Sequence, residues 1–321
     1  MNKPRVLVVD DDPINIKSLI GVLEDEFDLA AAINGKVGLQ AAERTLPDLI
    51  LLDITMPDMD GYTVLRELKQ REATRDIPVI FITGLNSAED EARGLEHGAS
   101  DYISKPFNPT VVRARVKTQV RLKQQADQLA LSAIQDGLTG IANRQHIEGL
   151  LAAAIEEAAG SSQSIGLLMV DIDQFKRFNL VYGTEYGDAT LKVISRLLQN
   201  KLSERVAESK TSPVHAAAVG RYEGDSFLLI VPSGTEEVLN TLARDTKIAI
   251  NELKIDNAAS KHDERLTVSQ GYVSFIPDLG SRAEQMMEYA RMAVSSAKQN
   301  GGNEIVAQKP SERVYWDRAT A

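Results

Sequence analysis

The feature that most constrains this chain is a rhythm in its first hundred or so residues, where short, continuous apolar runs alternate with segments of helix length. "RVLVV", "PDLILLD" and "IPVIFITG" are the runs, and "INIKSLIGVLE" and "GYTVLRELKQ" are amphipathic at helical spacing. Uninterrupted apolar strands separated by helices indicate a parallel sheet covered on both faces. In such a sheet, polar chemistry collects at the carboxyl ends of the strands. Those ends read Asp10 and Asp11, then Asp53, then Thr83, and the segment "DYISKPF" supplies Lys105.

Three clustered carboxylates repel one another unless a cation joins them, and hard oxygen ligands suit Mg²⁺. Together with a lysine and a hydroxyl, that set could hold a phosphoryl group on one aspartate and neutralise its charge. Each residue alone has a plainer reading: "DDD" fits a solvated turn, and an Asp at a strand end fits a helix N-cap. Their joint placement at successive strand ends favours the phosphoryl site. The stretches "VVDDD", "LLDITMPDMDG", "FITG" and "DYISKPF" resemble the response-regulator receiver domain over residues 1–108. The resemblance implies a flavodoxin-like, doubly wound α/β fold with Asp53 as phosphoacceptor and Asp10, Asp11 and Asp53 around Mg²⁺. It also implies Lys105 on the phosphoryl group, Thr83 as switching hydroxyl, Tyr102 as the aromatic that follows Thr83, and a cis Lys105–Pro106 bond. A histidine kinase would be the phosphodonor.

No glycine or proline lies between Pro109 and Gly137, so residues 109–135 are expected to form one helix, about 40 Å long at ~1.5 Å per residue. Val112, Val116 and Val120 suit packing on the first domain. Leu122, Ala126, Leu129 and Ala133 recur at 4-3-4 spacing, a coiled-coil-like seam for a second subunit. So short a seam is marginal alone, and pairing through it would need help from the receiver.

Residues 136–307 read as helix, strand, helix, hairpin, helix, strand, helix, strand, a mixed α+β domain, and 308–321 as a polar tail. Asp171 and Asp173 end an apolar strand, and Asp225 sits at the tip of a hairpin whose tight turn is expected at Glu223-Gly224. Carboxylates on adjacent strand ends can hold Mg²⁺ over a nucleoside triphosphate; each equally fits a turn former. The stretches "DGLTGIANR", "MVDIDQFKRFN", "YGDATL", "RYEGDSF", "VSQGYV" and "AKQNGGN" resemble GGDEF domains, the diguanylate cyclases, with a nucleotidyl-cyclase-like fold. In active members two GTP-loaded domains meet, and each 3′-hydroxyl attacks the other nucleotide's α-phosphate to give cyclic di-GMP and pyrophosphate.

By that resemblance Asp171 and Asp225 are metal ligands, Asn179 and Asp188 bind guanine, and Lys176 and Lys298 contact phosphate. The usual "ND" and "GH" positions read Asn179-Leu180 and Gly183-Thr184, and three further positions depart from the pattern. Glu223 replaces the first glycine of the signature, Ser226 the acid after Asp225, and Gly302 a phosphate-binding arginine. A carboxylate about 4 Å from a phosphate oxygen costs on the order of 4 kcal/mol at an effective dielectric of about 20. Losing a charged hydrogen bond from the arginine removes roughly 1.5–3 kcal/mol more. The position of the inhibitory RxxD motif reads Val214-His215-Ala216-Ala217, so no inhibitory site is expected.

The sequence therefore predicts a phosphorylation-controlled regulator with an output domain that is weak or inactive as a cyclase. It would act through homodimerisation on phosphorylation, bound GTP or a protein partner; the alternative is an active phospho-activated cyclase. A net charge of −10 argues against nucleic acid as a partner. The apolar run Val6–Val9 is too short for a signal peptide or membrane span, which points to the cytoplasm. With no cysteine, disulfides and thiolate metal sites are excluded.

Overall fold

A computed structural model describes residues 3–84, 97–208, 217–258 and 264–309. The expected polar tail beyond 309 and residues Val214 to Ala216 lie outside them. The chain divides into two compact units, Met1–Ala130 and Leu131–Ala321.

The first unit contains strands β1 (Arg5–Val9), β2 (Asp28–Ala32), β3 (Leu49–Asp53), β4 (Val79–Thr83) and β5 (Asp101–Ser104). Helices α1 (Pro13–Leu23), α2 (Gly35–Thr45) and α3 (Gly61–Gln70) alternate with the strands, and α4 (Pro109–Ile134) follows them. The strands pair in parallel in the order β2-β1-β3-β4-β5, the flavodoxin-like arrangement. Successive residues of β1 point to opposite faces. Val6 and Val8 pack with Leu19 of α1 and with Val112, Val116 and Val120 of α4. Leu7 and Val9 pack with Leu39 of α2 and Leu65 of α3. Both faces are buried, which is why these strands read as unbroken apolar runs rather than as alternation.

Helix α4 is continuous over 26 residues, as the absence of glycine and proline predicts. Val112, Val116 and Val120 are its buried residues, whereas Leu122, Ala126, Leu129 and Ala133 are exposed.

The second unit contains α5 (Arg144–Ser161), β6 (Ile165–Ile172), α6 (Phe175–Tyr182), α7 (Thr184–Glu208), β7 (Ala218–Glu223) and β8 (Ser226–Pro232). After these come α8 (Glu236–Glu252), β9 (Val268–Phe275), α9 (Ala283–Gln299) and β10 (Ile305–Gln308). Strand β6 is the centre of the order β10-β9-β6-β8-β7, antiparallel to β8 and β9, while β9 and β10 are parallel. All eight of its residues are buried.

Two details differ from the sequence reading. The single helix expected before the hairpin is two, because Gly183 between them takes φ 87°, a left-handed geometry that ends α6 and restarts the chain as α7. The hairpin turn lies one residue later than expected: Glu223 pairs with Ser226, so Gly224 and Asp225 form the tip.

Candidate functional site

In the first unit, four strand ends converge. Asp10 follows β1 and is fully buried, and Asp53 and Thr83, the last residues of β3 and β4, are each 4% exposed. Lys105, just past β5, places its Nζ 3.0 Å from Asp10 Oδ2 and 3.0 Å from Asp53 Oδ2. The Lys105–Pro106 bond is cis. Burial raises the Asp53 carboxyl above its ordinary value, and neighbouring Asp10 adds to this against the pull of Lys105. Burial pulls the Lys105 ammonium down, but its two carboxylate partners outweigh that and hold it above the usual value.

Carboxylate oxygens of Asp10, Asp11 and Asp53 lie within 4.8 Å of one another, with Asp11 the exposed member. Three hard oxygen donors at that spacing fit Mg²⁺. Two neighbours not named from the sequence organise the cluster. Asn15 Nδ2 donates to both oxygens of Asp10 at 3.1 Å. Asp12 caps α1 by accepting from the Ile14 N–H at 2.8 Å. The plain N-cap reading therefore holds for Asp12, leaving Asp10 and Asp11 for the cluster. Tyr102 is half-buried on β5, with the Arg115 guanidinium 5.2 Å from its ring centroid.

In the second unit, Asp171 near the end of β6 stands opposite Ser226 on β8. Ser226 Oγ donates to Asp171 Oδ2 at 2.5 Å, and the Lys298 ammonium, in the last turn of α9, sits against Asp171 Oδ1. Asp225 is raised to about 6, first by burial and then by the charge of Asp171, with Lys298 and Arg221 opposing. Asp171 is buried and Asp225 half-buried, and the oxygen donors of two acids this close fit Mg²⁺.

Asp173 ends differently. Its carboxylate accepts from Thr267 Oγ1 at 2.8 Å, Ser269 Oγ at 2.6 Å and the Asn303 N–H at 2.8 Å. It is a buried anchor for the loop after α9, and the turn-former alternative gives way to that role. Spacing alone did not separate it from Asp171.

Asn179 on α6 and Asp188 on α7 are both half-buried. Asn179 Oδ1 accepts no hydrogen bond from the described residues. A Cβ added at Gly187 would lie 1.9 Å from that oxygen, so the two helices meet there through the missing side chain. Lys176 is exposed on the first turn of α6. Glu223 is exposed at the end of β7, where solvent weakens any repulsion it exerts. Gly302 has φ 81° and faces the Asp173 carboxylate.

The sequence reading named neither member of one organising pair. Arg221 donates through Nε to the Gly224 carbonyl at 2.8 Å and through one terminal nitrogen to Asp136 at 3.1 Å. Asp136 also accepts from the Thr139 N–H at 2.9 Å and its Oγ1 at 2.7 Å. Burial would raise Asp136, yet these bonds and Arg221 hold it below the usual carboxylate value. A β-bulge between Arg221 and Glu223 re-aims this part of the strand. Both residues sat in recognised stretches, but 85 positions separate them and nothing in either signals the other.

Beside the acid pair opens a cleft of about 520 Å³, lined by Asp171, Tyr222, Glu223, Ser226, Arg291 and Lys298 among others. Among the described residues no helix is long and apolar enough to cross a membrane.

Two family models match the chain: "Response regulator receiver domain" over residues 6–117 and "Diguanylate cyclase, GGDEF domain" over 133–304, the second more than half of its length. The response regulator PleD of Caulobacter vibrioides is 45% identical over 126 residues, 39% of this chain and 28% of PleD. A probable cyclic di-GMP phosphodiesterase of Vibrio cholerae is 42% identical over 127 residues, 40% of this chain and 29% of that protein. The chain thus spans under a third of the length of either relative. The coiled coil and GGDEF domain of DgcB from Caulobacter crescentus, solved in complex with c-di-GMP, is similar at 25% identity and a TM-score of 0.50. That likeness covers 62% of this chain and 97% of the DgcB chain. With a receiver domain followed by a GGDEF domain, the chain belongs to the REC–GGDEF response regulators of cyclic di-GMP signalling.

Proposed function

We propose that this regulator is switched by phosphorylation of Asp53 and that its GGDEF domain has weak or no cyclase activity. In this reading residues 1–108 receive the phosphoryl group, 109–135 transmit the change and 136–307 form the output. The output acts by homodimerisation, by holding GTP or by engaging a protein partner. A cytoplasmic location goes with this reading, since a histidine kinase and GTP are both available there.

In the receiver, Asp53 takes the phosphoryl group while Lys105, already 3.0 Å from its carboxylate, offsets the added charge. Thr83, buried at the next strand end, is the hydroxyl that turns toward it, and Tyr102 fills the space Thr83 leaves. Mg²⁺ held by Asp10, Asp11 and Asp53 would supply a Lewis acid for the phosphoryl oxygens.

The observation that carries the reading of the output is the engagement of Asp171. Ser226 takes one of its oxygens and Lys298 the other. At position 226, where active members have a second acid, this chain has a hydroxyl that donates to a proposed metal ligand. Asp171 and Asp225 would hold Mg²⁺, Asn179 and Asp188 would recognise guanine, and Lys176 and Lys298 would meet phosphate. Binding groups therefore outlast the groups that would speed transfer. The unpartnered Asn179 Oδ1 favours retained guanine binding, because guanine presents donors to such an acceptor. The same observation is the best support for the alternative, an active phospho-activated cyclase.

Restoring the signature tests the reading. The double variant Glu223→Gly/Ser226→Glu is expected to form cyclic di-GMP from Mg²⁺ and GTP at least tenfold faster than the parent, about 1.4 kcal/mol in the barrier. A parent that already turns over as fast as the double variant would overturn it.

A further inference from the structure

We propose that Arg291 is a phosphate-binding residue of the output domain, gripping the terminal phosphates of a nucleoside triphosphate in place of the arginine absent at 302. The inference rests on the nucleotide-binding part of the proposed function.

Arg291, Ser295 and Lys298 lie at i, i+4 and i+7 on α9, so they share one face, and all three line the cleft beside Asp171. Lys298 reaches the acid pair, and Arg291 stands two turns away, about 10 Å along the helix. The Arg291 guanidinium lies 5.6 Å from the centroid of the Tyr222 ring, which gives it a fixed wall to rest on. Its ionic partner is Glu288 at 3.8 Å, with both side chains about half exposed. A pair that long and that exposed holds a guanidinium weakly. The fork is therefore available to a ligand with several anionic oxygens, which a guanidinium meets two at a time.

Charge around the cleft argues the same way. Asp171 and Glu223 line the strand side, with Asp225 close enough to feel the charge of Asp171, and a divalent cation belongs there, while Arg291 and Lys298 line the helix side. A ligand that carries a cation at one end and anionic oxygens along its length matches that division. Mg²⁺–nucleoside triphosphate has that form, whereas a nucleoside monophosphate would reach Lys298 and stop short of Arg291.

The test is calorimetric titration of the full chain with Mg²⁺–GTP and, separately, with GMP. Arg291→Ala is expected to weaken Mg²⁺–GTP about tenfold or more and GMP less than about twofold. Arg291→Lys, which keeps the charge but not the fork, is expected to fall between parent and Arg291→Ala for Mg²⁺–GTP, and it gives the answer even if the alanine variant folds poorly. Equal losses for the two nucleotides, or no loss for either, would overturn the assignment while leaving nucleotide binding intact. A parent that binds neither nucleotide would overturn the assignment together with the nucleotide-binding reading beneath it.

Discussion

Putting arginine back at position 302 is the obvious repair of this output domain, and the local backbone argues that it fails on its own. Gly301, Gly302 and Asn303 have φ of 113°, 81° and 54°, three consecutive residues in left-handed geometry. A side chain at 302 carries a strain of roughly 1–2 kcal/mol there. Its Cβ would also stand 3.2 Å from Asp173 Cγ and Oδ1 and 3.3 Å from Oδ2. That carboxylate has little room to withdraw, because Thr267, Ser269 and the Asn303 N–H hold it at 2.8, 2.6 and 2.8 Å. Strain and crowding together come to about 2 kcal/mol. For a domain of this size that lowers the melting temperature by roughly 4–8 °C. Circular dichroism melts of Gly302→Arg, read beside cyclic di-GMP formation, test this. The expected result is a lowered melting temperature with no gain in product. An unchanged melting temperature with a clear gain would refute the backbone argument and make Gly302 a simple loss of a cation.

Two further perturbations have readable outcomes. Asp136→Asn removes the charge paired with Arg221 and is expected to cost about 1–2 kcal/mol at neutral pH. Because the folded carboxyl is held below its ordinary value, this stabilisation is complete above the unfolded pKa of about 3.9 and is lost as pH falls through the lower folded value. Melting temperatures of parent and variant should therefore differ at pH 7 and draw together as pH falls below the unfolded value; a constant gap would count against the pair. Gly187→Ala would set a methyl 1.9 Å from Asn179 Oδ1, so it is expected to weaken GTP at least tenfold in the same titration. Undiminished GTP binding would remove Asn179 from the guanine site.

The receiver was legible because its chemistry lies at strand ends, and strand ends are visible as the points where apolar runs stop. Asp10, Asp53, Thr83 and Lys105 converge because the order β2-β1-β3-β4-β5 brings those ends to one edge of the sheet. The connector was equally plain, since an unbroken helix needs only the absence of glycine and proline. The output domain was legible in its order of elements and less so in its site. Asp171 and Asp173 look alike in sequence, two residues apart on one strand, yet one faces Lys298 and Ser226 and the other is enclosed by Thr267, Ser269 and Asn303. Those partners come from β9, the residue just before it and the loop after α9, more than ninety residues away, and no local pattern announces them. Gly183 takes a φ of 87° and divides one expected helix into two, which a single glycine in a helix-length segment does not announce. Arg291 stayed unnoticed because a lone arginine on a surface helix has no motif; its position beside Tyr222 exists only in the folded domain.

The central claim is that phosphorylation of Asp53 drives association rather than cyclisation. The most direct measurement incubates the full chain with Mg²⁺ and GTP, with and without beryllofluoride as a phosphoryl mimic. Cyclic di-GMP is followed by chromatography and mass in solution by light scattering in the same samples. The account predicts a shift toward dimer with beryllofluoride and little or no product in either state. Product that rises with beryllofluoride would contradict it and make this chain a regulated cyclase.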